Sequence, residues 1–220
     1  MAADFPKTRE IPLDPKSSAL LFIDVQNFSV RRDGGEFKDL PESEIEGKYG
    51  YYFDRLKSLV IPNMQRLQKA FRSAGIEVLY TTIESLTKDG RDRSLDYKIT
   101  GFHVPKGSWD GKVIDEIAPD DDEIVLPKSS SSVFVSTHID YLLRNLGVKQ
   151  LVLCGLVTDQ CVESAIRDAC DIGYLVTLVP DACATYTQER HDNTLRAIKG
   201  YCRQVNTDAL VEEIEKGRAA

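Results

Sequence analysis

Residues 151–169 read LVLCGLVTDQCVESAIRDA. The apolar run Leu151–Cys154 breaks at Gly155, and helical spacing begins near Thr158, so the stretch predicts a strand, a turn and a helix in that order. Cys161 then falls in the first turn of a helix, just beyond the carboxyl end of a strand. The N–H groups of that turn lack intrahelical partners, and with the helix dipole they favour an anion, whether a thiolate or an oxyanion. A free cysteine has a pKa of about 8.5, so a working cysteine nucleophile needs such help. Lowering its pKa by two units corresponds to about 2.7 kcal/mol, which one close ammonium together with a helix terminus can supply. Cys161 is therefore the first candidate for chemistry, and its thiol is expected to be acidified.

The same alternation runs along the chain. Apolar runs at 18–24 (SALLFID), 76–82 (IEVLYTT), 123–127 (EIVLP), 149–155 (KQLVLCG), 174–180 (YLVTLVP) and, more weakly, 201–205 (YCRQV) predict six strands. Helical patterns lie between them, which predicts an α/β protein with a parallel sheet. In 54–73 the residues Leu56, Leu59, Val60, Met64, Leu67 and Phe71 recur at spacings suited to one helix face, with Gly75 as a stop. Segment 136–146 repeats this with Ile139, Leu142, Leu143 and Leu146 inward and Gly147 after them, and 159–172 and 188–199 behave likewise. Two stretches break the rhythm, 28–53 and 84–122, and they are expected to cover a site.

A chain of 220 residues that is 42% hydrophobic fits one domain over 1–220, burying roughly 70% of its unfolded surface. The net charge of −7 argues against a nucleic-acid surface. MAADFPKTREIPLDPKSS has no apolar core after a basic start, and no run reaches the ~18 apolar residues of a membrane span, so a cytoplasmic protein is expected. Five cysteines (154, 161, 170, 183 and 202) without a CxxC pair read as reduced thiols.

Open α/β sheets bind ligands beyond the carboxyl ends of their strands. Three reactive groups fall there: Asp24 closes the first strand, Lys128 follows the third, and Cys161 follows the fourth. Asp24 can take the thiol proton and later protonate a leaving amine, while Lys128 holds the carboxylate ionised and stabilises the thiolate. Backbone N–H groups around Val157 and Cys161 can form an oxyanion hole. Each residue also has a structural alternative: a packed cysteine, a strand-end cap and a surface lysine. Cys154 and Cys170 read as packing residues. Weaker substrate-facing candidates are Glu84 and Arg91, which can pair with each other or bind a polar group, and Gln26 with Asn27, which can position Asp24 or cap a loop. Phe28, Tyr97 and Trp109 are candidate pocket walls. His103 lies in the second insertion, whereas His138 and His191 read as helical and structural.

The segments LLFIDVQN (20–27), LPKSSSSVF (126–134) with the helix after it, and GLVTDQCVESAIRDACDIGYLVTLVPDACAT (155–185) resemble the isochorismatase-like cysteine hydrolases. The resemblance spans about 16–206, and its Gly-x-x-Thr-x-x-Cys spacing is specific. KGSWDGKVIDEIAPDDDEIVLPK (106–128) is similar to the ureidoacrylate amidohydrolase branch. The resemblance implies a three-layer α/β/α, Rossmann-like sandwich with a six-stranded sheet, an Asp24–Lys128–Cys161 triad and a cis peptide between Leu156 and Val157. It also implies a homo-oligomer, dimer or tetramer, acting on a small-molecule substrate without nucleic-acid or membrane partners. Metal-binding members carry Asp-x-His after the second strand; this chain has Thr82-Ile83-Glu84, so neither metal nor cofactor is expected. Members that hydrolyse the vinyl ether of isochorismate typically lack the cysteine, so Cys161 points to carbon–nitrogen hydrolysis. Two rivals stand beside that reading: an isochorismatase using Asp24 as acid, and a non-catalytic binding or redox-responsive protein.

Overall fold

A computed structural model describes residues 6–219. Residues 1–5 and 220, part of the expected 1–220 domain and of the N-terminal reading, lie outside the described residues. Six strands, β1 (Ser18–Ile23), β2 (Glu77–Ile83), β3 (Ile124–Lys128), β4 (Gln150–Leu156), β5 (Leu175–Ala184) and β6 (Arg203–Gln204), form one sheet. All pairings are parallel, and the order is β3-β2-β1-β4-β5-β6. The helices are α1 (Asn27–Val30), α2 (Glu42–Arg55), α3 (Ile61–Ser73), α4 (Leu95–Ile99), α5 (Val133–Ser136), α6 (Ile139–Asn145), α7 (Glu163–Asp171), α8 (Gln188–Ile198) and α9 (Thr207–Ala219).

The apolar runs form strands because a parallel sheet covered by helices buries both faces of its central strands. Every residue of β1 and β4 is buried accordingly. On one side α3 packs against β2, β5 and α9; elsewhere α7 contacts β5, α5 and α8. No helix among the described residues is long and apolar enough to cross a membrane.

Several boundaries differ from expectation. The helix predicted over 54–73 starts at Glu42, because α2 runs through a wide turn at Leu56–Val60 directly into α3. Much of the first supposed insertion is thus helix, and Leu59 turns outward at 37% exposure. Pro62, which has no N–H to donate, falls just after that wide turn, where the regular helical hydrogen-bond ladder is already interrupted. The segment 136–146 divides into α5 and α6, and Leu146 is partly exposed. β5 runs four residues beyond its predicted end, whereas β6 shrinks to two.

The order of the sheet reverses between β1 and β4, so a crevice opens beyond their carboxyl ends. Their approach there is close: Gly155 pairs with Ile23, has φ of 137°, and would bring a Cβ within 2.2 Å of the Ile23 carbonyl oxygen. Only glycine fits at that position. The Leu156–Val157 peptide is cis, as the resemblance implied.

Candidate active site

Asp24 follows β1 directly and is the one non-glycine residue with positive φ among the described residues, at 54°. Its N–H donates to the Thr81 carbonyl (3.0 Å), and the Thr81 hydroxyl donates to Asp24 Oδ1 (2.8 Å). One carboxylate oxygen is thereby fixed by β2. The other, Oδ2, lies 2.8 Å from Lys128 Nζ, and both side chains are almost completely buried. Lys128 ends β3 and also donates to the Ser130 carbonyl (2.8 Å) and toward Cys161 Sγ (3.4 Å). Apart from that ammonium, Oδ2 has no hydrogen-bond donor, so it is open toward the thiol. Three groups from three strand ends therefore meet at the reversal point.

Burial pushes the Cys161 thiol up to about 12; Lys128 pulls the other way, and the nearby Asp24 carboxylate adds to the rise. This reverses the expected acidification, because the sulfur is sealed from water and sits beside an anion as well as a cation. The sulfur therefore rests as the thiol. Burial opposes the charge on Lys128, yet Asp24 and Cys161 hold its pKa above the ordinary lysine range. The resting cluster is thus thiol, carboxylate and ammonium.

Cys161 lies in a wide helical turn, Thr158–Val162, that leads into α7. That turn is braced from behind. Thr158 Oγ1 bonds His191 Nδ1 (2.9 Å), and Arg55 reaches His191 Nε2 (3.1 Å). Arginine only donates, so Nε2 accepts and Nδ1 carries the proton toward Thr158. Burial, aided by the Arg55 charge, lowers His191 to about 4, keeping the ring neutral. His191 is structural, as read from sequence. Val157, at the mouth of the turn, lines the cavity, and its N–H donates to no backbone carbonyl outside the regular elements among the described residues.

A cavity of about 690 Å³ opens onto this cluster, with Asp24, Cys161, Val157, Phe28, Tyr97 and Phe102 in its wall. Phe28 and Tyr97 are where the sequence put them. Tyr97 does more than wall the cavity: its hydroxyl lies 3.8 Å from Cys161 Sγ. Gln26, Glu84, Arg91 and Trp109 stand outside the lining. Gln26 is fully buried, its amide donating to the Ile83 and Asp110 carbonyls and accepting from the Ile83 N–H, so it ties the ends of β1 and β2 to the second insertion. Asn27 similarly donates to the Trp109 carbonyl, while the Trp109 ring is half exposed. Glu84 accepts from the Gly107 N–H, and Arg91 pairs at the surface with Asp89 (2.9 Å) rather than with Glu84. His103 is half-buried, its enclosed Nε2 without a hydrogen-bond partner among the described residues, and His138 precedes α6 at the surface.

Sequence reasoning passed over Glu36 and Tyr186, which line the same cavity with the tyrosine hydroxyl donating to the carboxylate. The available signal was the pair Gly34-Gly35 ahead of a carboxylate. At Gly34 a Cβ would meet the Asn27 and Phe28 carbonyl oxygens at 2.2 and 2.5 Å, so glycine is what lets this loop fold back over α1.

Comparison with known proteins places these observations. A family model for the isochorismatase domain matches residues 18–209. The chain is 28% identical to the ureidoacrylate amidohydrolase RutB of Rhizobium rhizogenes, over 92% of this chain and 89% of that protein. Among solved structures, a cysteine hydrolase from Pseudomonas syringae superposes with a TM-score of 0.79 at 22% identity, covering 94% of this chain and 96% of the other. The N-carbamoylsarcosine amidase of Thermoplasma acidophilum gives 0.67 at 27% identity, with 87% and 97% covered.

Proposed function

We propose that this chain, which belongs to the isochorismatase family of hydrolases, cleaves a carbon–nitrogen bond of a small amide or ureide through an acyl-thioenzyme on Cys161. The observation that carries this reading is the sealed Asp24–Lys128–Cys161 cluster, in which the Lys128 ammonium lies 2.8 Å from the Asp24 carboxylate and 3.4 Å from the Cys161 sulfur. The names of two relatives, a ureidoacrylate amidohydrolase and an N-carbamoylsarcosine amidase, support the bond type.

A thiol sealed from water, whose pKa burial raises, sets the order of events. The proton leaves sulfur as the carbon–sulfur bond forms, not before, and the acceptor within reach is Asp24 Oδ2. Negative charge passes to the substrate's carbonyl oxygen, which the N–H groups of Val157 and Cys161 receive; such donors are commonly worth about 3 kcal/mol each. Asp24 then returns the proton to the departing nitrogen as the carbon–nitrogen bond breaks. Water completes the cycle: Asp24 removes its proton, the hydroxide attacks the thioester carbon, and sulfur leaves and is reprotonated from Asp24. Lys128 keeps its proton throughout, since both anions around it favour the ammonium. No step calls on a resident metal, in keeping with Thr82-Ile83-Glu84 at the place where metal-binding members carry their ligands.

The test is turnover of an amide and ureide panel by Cys161→Ala, with intact mass spectrometry of the wild type during turnover. Loss of activity in a folded variant and an acyl adduct on the Cys161 peptide are expected. Undiminished hydrolysis by the variant refutes the nucleophile. Cleavage of isochorismate that survives Cys161→Ala but not Asp24→Ala would instead select the ether reaction.

A further inference from the structure

We infer that Glu36, held by Tyr186, receives a positively charged group of the substrate, so that this enzyme prefers amides or ureides bearing an ammonium or guanidinium over those bearing a carboxylate. The reactive end of such a substrate rests on the amide and ureide reading above; the charged end stands on separate observations.

The first is the charge of the cavity wall. It contains three carboxylates, Asp24, Glu36 and Asp96, and no lysine, arginine or histidine. Asp24 is neutralised by Lys128 behind it, whereas Glu36 and Asp96 pair with no cation among the described residues. A substrate carboxylate entering here meets acidic groups and no cationic partner, a juxtaposition that disfavours it.

The second is the state of Glu36. Its carboxylate has one hydrogen-bond donor, the Tyr186 hydroxyl, at Oε1. Burial raises its pKa to about 7, with the Tyr186 bond acting against the rise. The other titratable groups around it are the hydroxyls of Tyr52 and, beyond Tyr186, Tyr49, none of them cationic. A half-buried carboxylate facing a cavity without a counter-charge among the described residues is costly, and a cationic ligand would lower that cost.

The third is the surrounding aromatic wall. Tyr186 is fixed against Tyr49 and Tyr52, with centroids 5.3 and 5.4 Å apart, and Arg190 over its ring is already engaged by Asp159. Phe28 and Phe102 pack edge to face at 4.6 Å, and with Tyr97 they line the cavity. Aromatic faces beside a carboxylate suit an organic cation. The net charge of −7 draws cations toward the protein at longer range.

Binding to the full chain carrying Cys161→Ala, measured by calorimetry at pH 8 and low salt, tests this without requiring turnover. The probes are ω-ureidoalkylamines, the matching alkylureas and the matching ω-ureidocarboxylates, each with propyl, butyl and pentyl spacers. At the best spacer the amine is expected to bind at least about tenfold tighter than the neutral isostere and at least about 100-fold tighter than the acid. Adding Glu36→Gln should collapse the amine-to-neutral ratio to within about twofold, whereas Tyr186→Phe, which keeps the carboxylate, should preserve the preference. Circular dichroism establishes that each variant is folded, and should Glu36→Gln fail to fold, the charge series on the parent protein decides. Equal or tighter binding of the acids overturns the inference, as does a cation preference that survives Glu36→Gln. A cation preference without hydrolysis of any ureide by the wild type keeps this inference and refutes the reaction; hydrolysis without the preference does the reverse.

Discussion

Replacing Lys128 by Met removes the one charge that makes the Asp24 carboxylate tolerable in the interior. At 2.8 Å, an effective dielectric constant of about 20 gives an attraction of about 6 kcal/mol. The net loss is smaller, because the ammonium also paid desolvation; breaking a buried pair from one side costs about 3–5 kcal/mol. Met fills nearly the same volume, so little of that loss comes from a cavity, and the Ser130 carbonyl loses its donor for about 1 kcal/mol more. Lys128→Met is therefore expected to be about 4 kcal/mol less stable than the wild type. With a urea slope of about 2.5 kcal/mol/M for a chain of this size, the unfolding midpoint falls by about 1.5 M.

The decisive comparison is the double variant. Asp24→Asn/Lys128→Met removes the stranded charge, so it should recover at least about 2 kcal/mol relative to Lys128→Met alone, although it carries one more substitution. Urea melts followed by circular dichroism and tryptophan fluorescence give all four corners of the cycle at pH 7.5. A Lys128→Met cost below about 1 kcal/mol refutes the assignment of a sealed ion pair. So does a double variant no more stable than the single one.

Four further outcomes follow from the geometry. His191 is held near pKa 4 inside the fold while its unfolded value is about 6.5, so its contribution is fully present above pH 6.5 and is lost as pH falls toward 4; melting at pH 7 and pH 5 should show a loss of up to about 2 kcal/mol that His191→Asn lacks. Tyr97→Phe removes a 3.8 Å contact to sulfur and should lower kcat by about two- to tenfold with KM nearly unchanged, a 100-fold loss placing the hydroxyl in the chemistry itself. Gly155→Ala drives a Cβ into the Ile23 carbonyl and should cost more than about 3 kcal/mol, read as lost soluble protein or a lowered midpoint. Prolonged chelation followed by assay with washed protein should leave the rate within about twofold, and loss restored by a divalent metal refutes the metal-free reading.

The parallel sheet was legible because buried strands leave continuous apolar runs, and the three reactive groups were legible because each sits at the end of such a run. What the sequence could not carry was the direction of side chains outside the sheet. Gln26 follows Asp24 by two residues, yet its amide is consumed by Ile83 and Asp110 and never reaches the cavity. Arg91 and Glu84 lie seven residues apart and can, by sequence, pair with each other or bind a polar group; in the fold Arg91 pairs with Asp89, while Glu84 accepts from the N–H of Gly107 farther along the second insertion. The acidity of Cys161 was misjudged for a related reason. Helix position and a lysine are visible in sequence, but the depth of burial that outweighs them is a property of the assembled fold.

Glu36 was missed because its segment has no periodicity to read, and its meaning comes from contrast with Asp24. Both carboxylates line one cavity, but their surroundings set them apart. Asp24 has a lysine 2.8 Å away and a threonine hydroxyl at its other oxygen, a setting that lets it exchange a proton with sulfur while its charge stays compensated. Glu36 has a tyrosine and, among the described residues, no paired cation, so its charge is compensated when something positive enters. Two acids in environments this different divide the work of a site, one moving protons and the other holding ligand. If Glu36 instead served the proton traffic, Glu36→Gln would lower kcat equally for cationic and neutral ureides. Ligand binding predicts a loss concentrated in KM and confined to the cationic series.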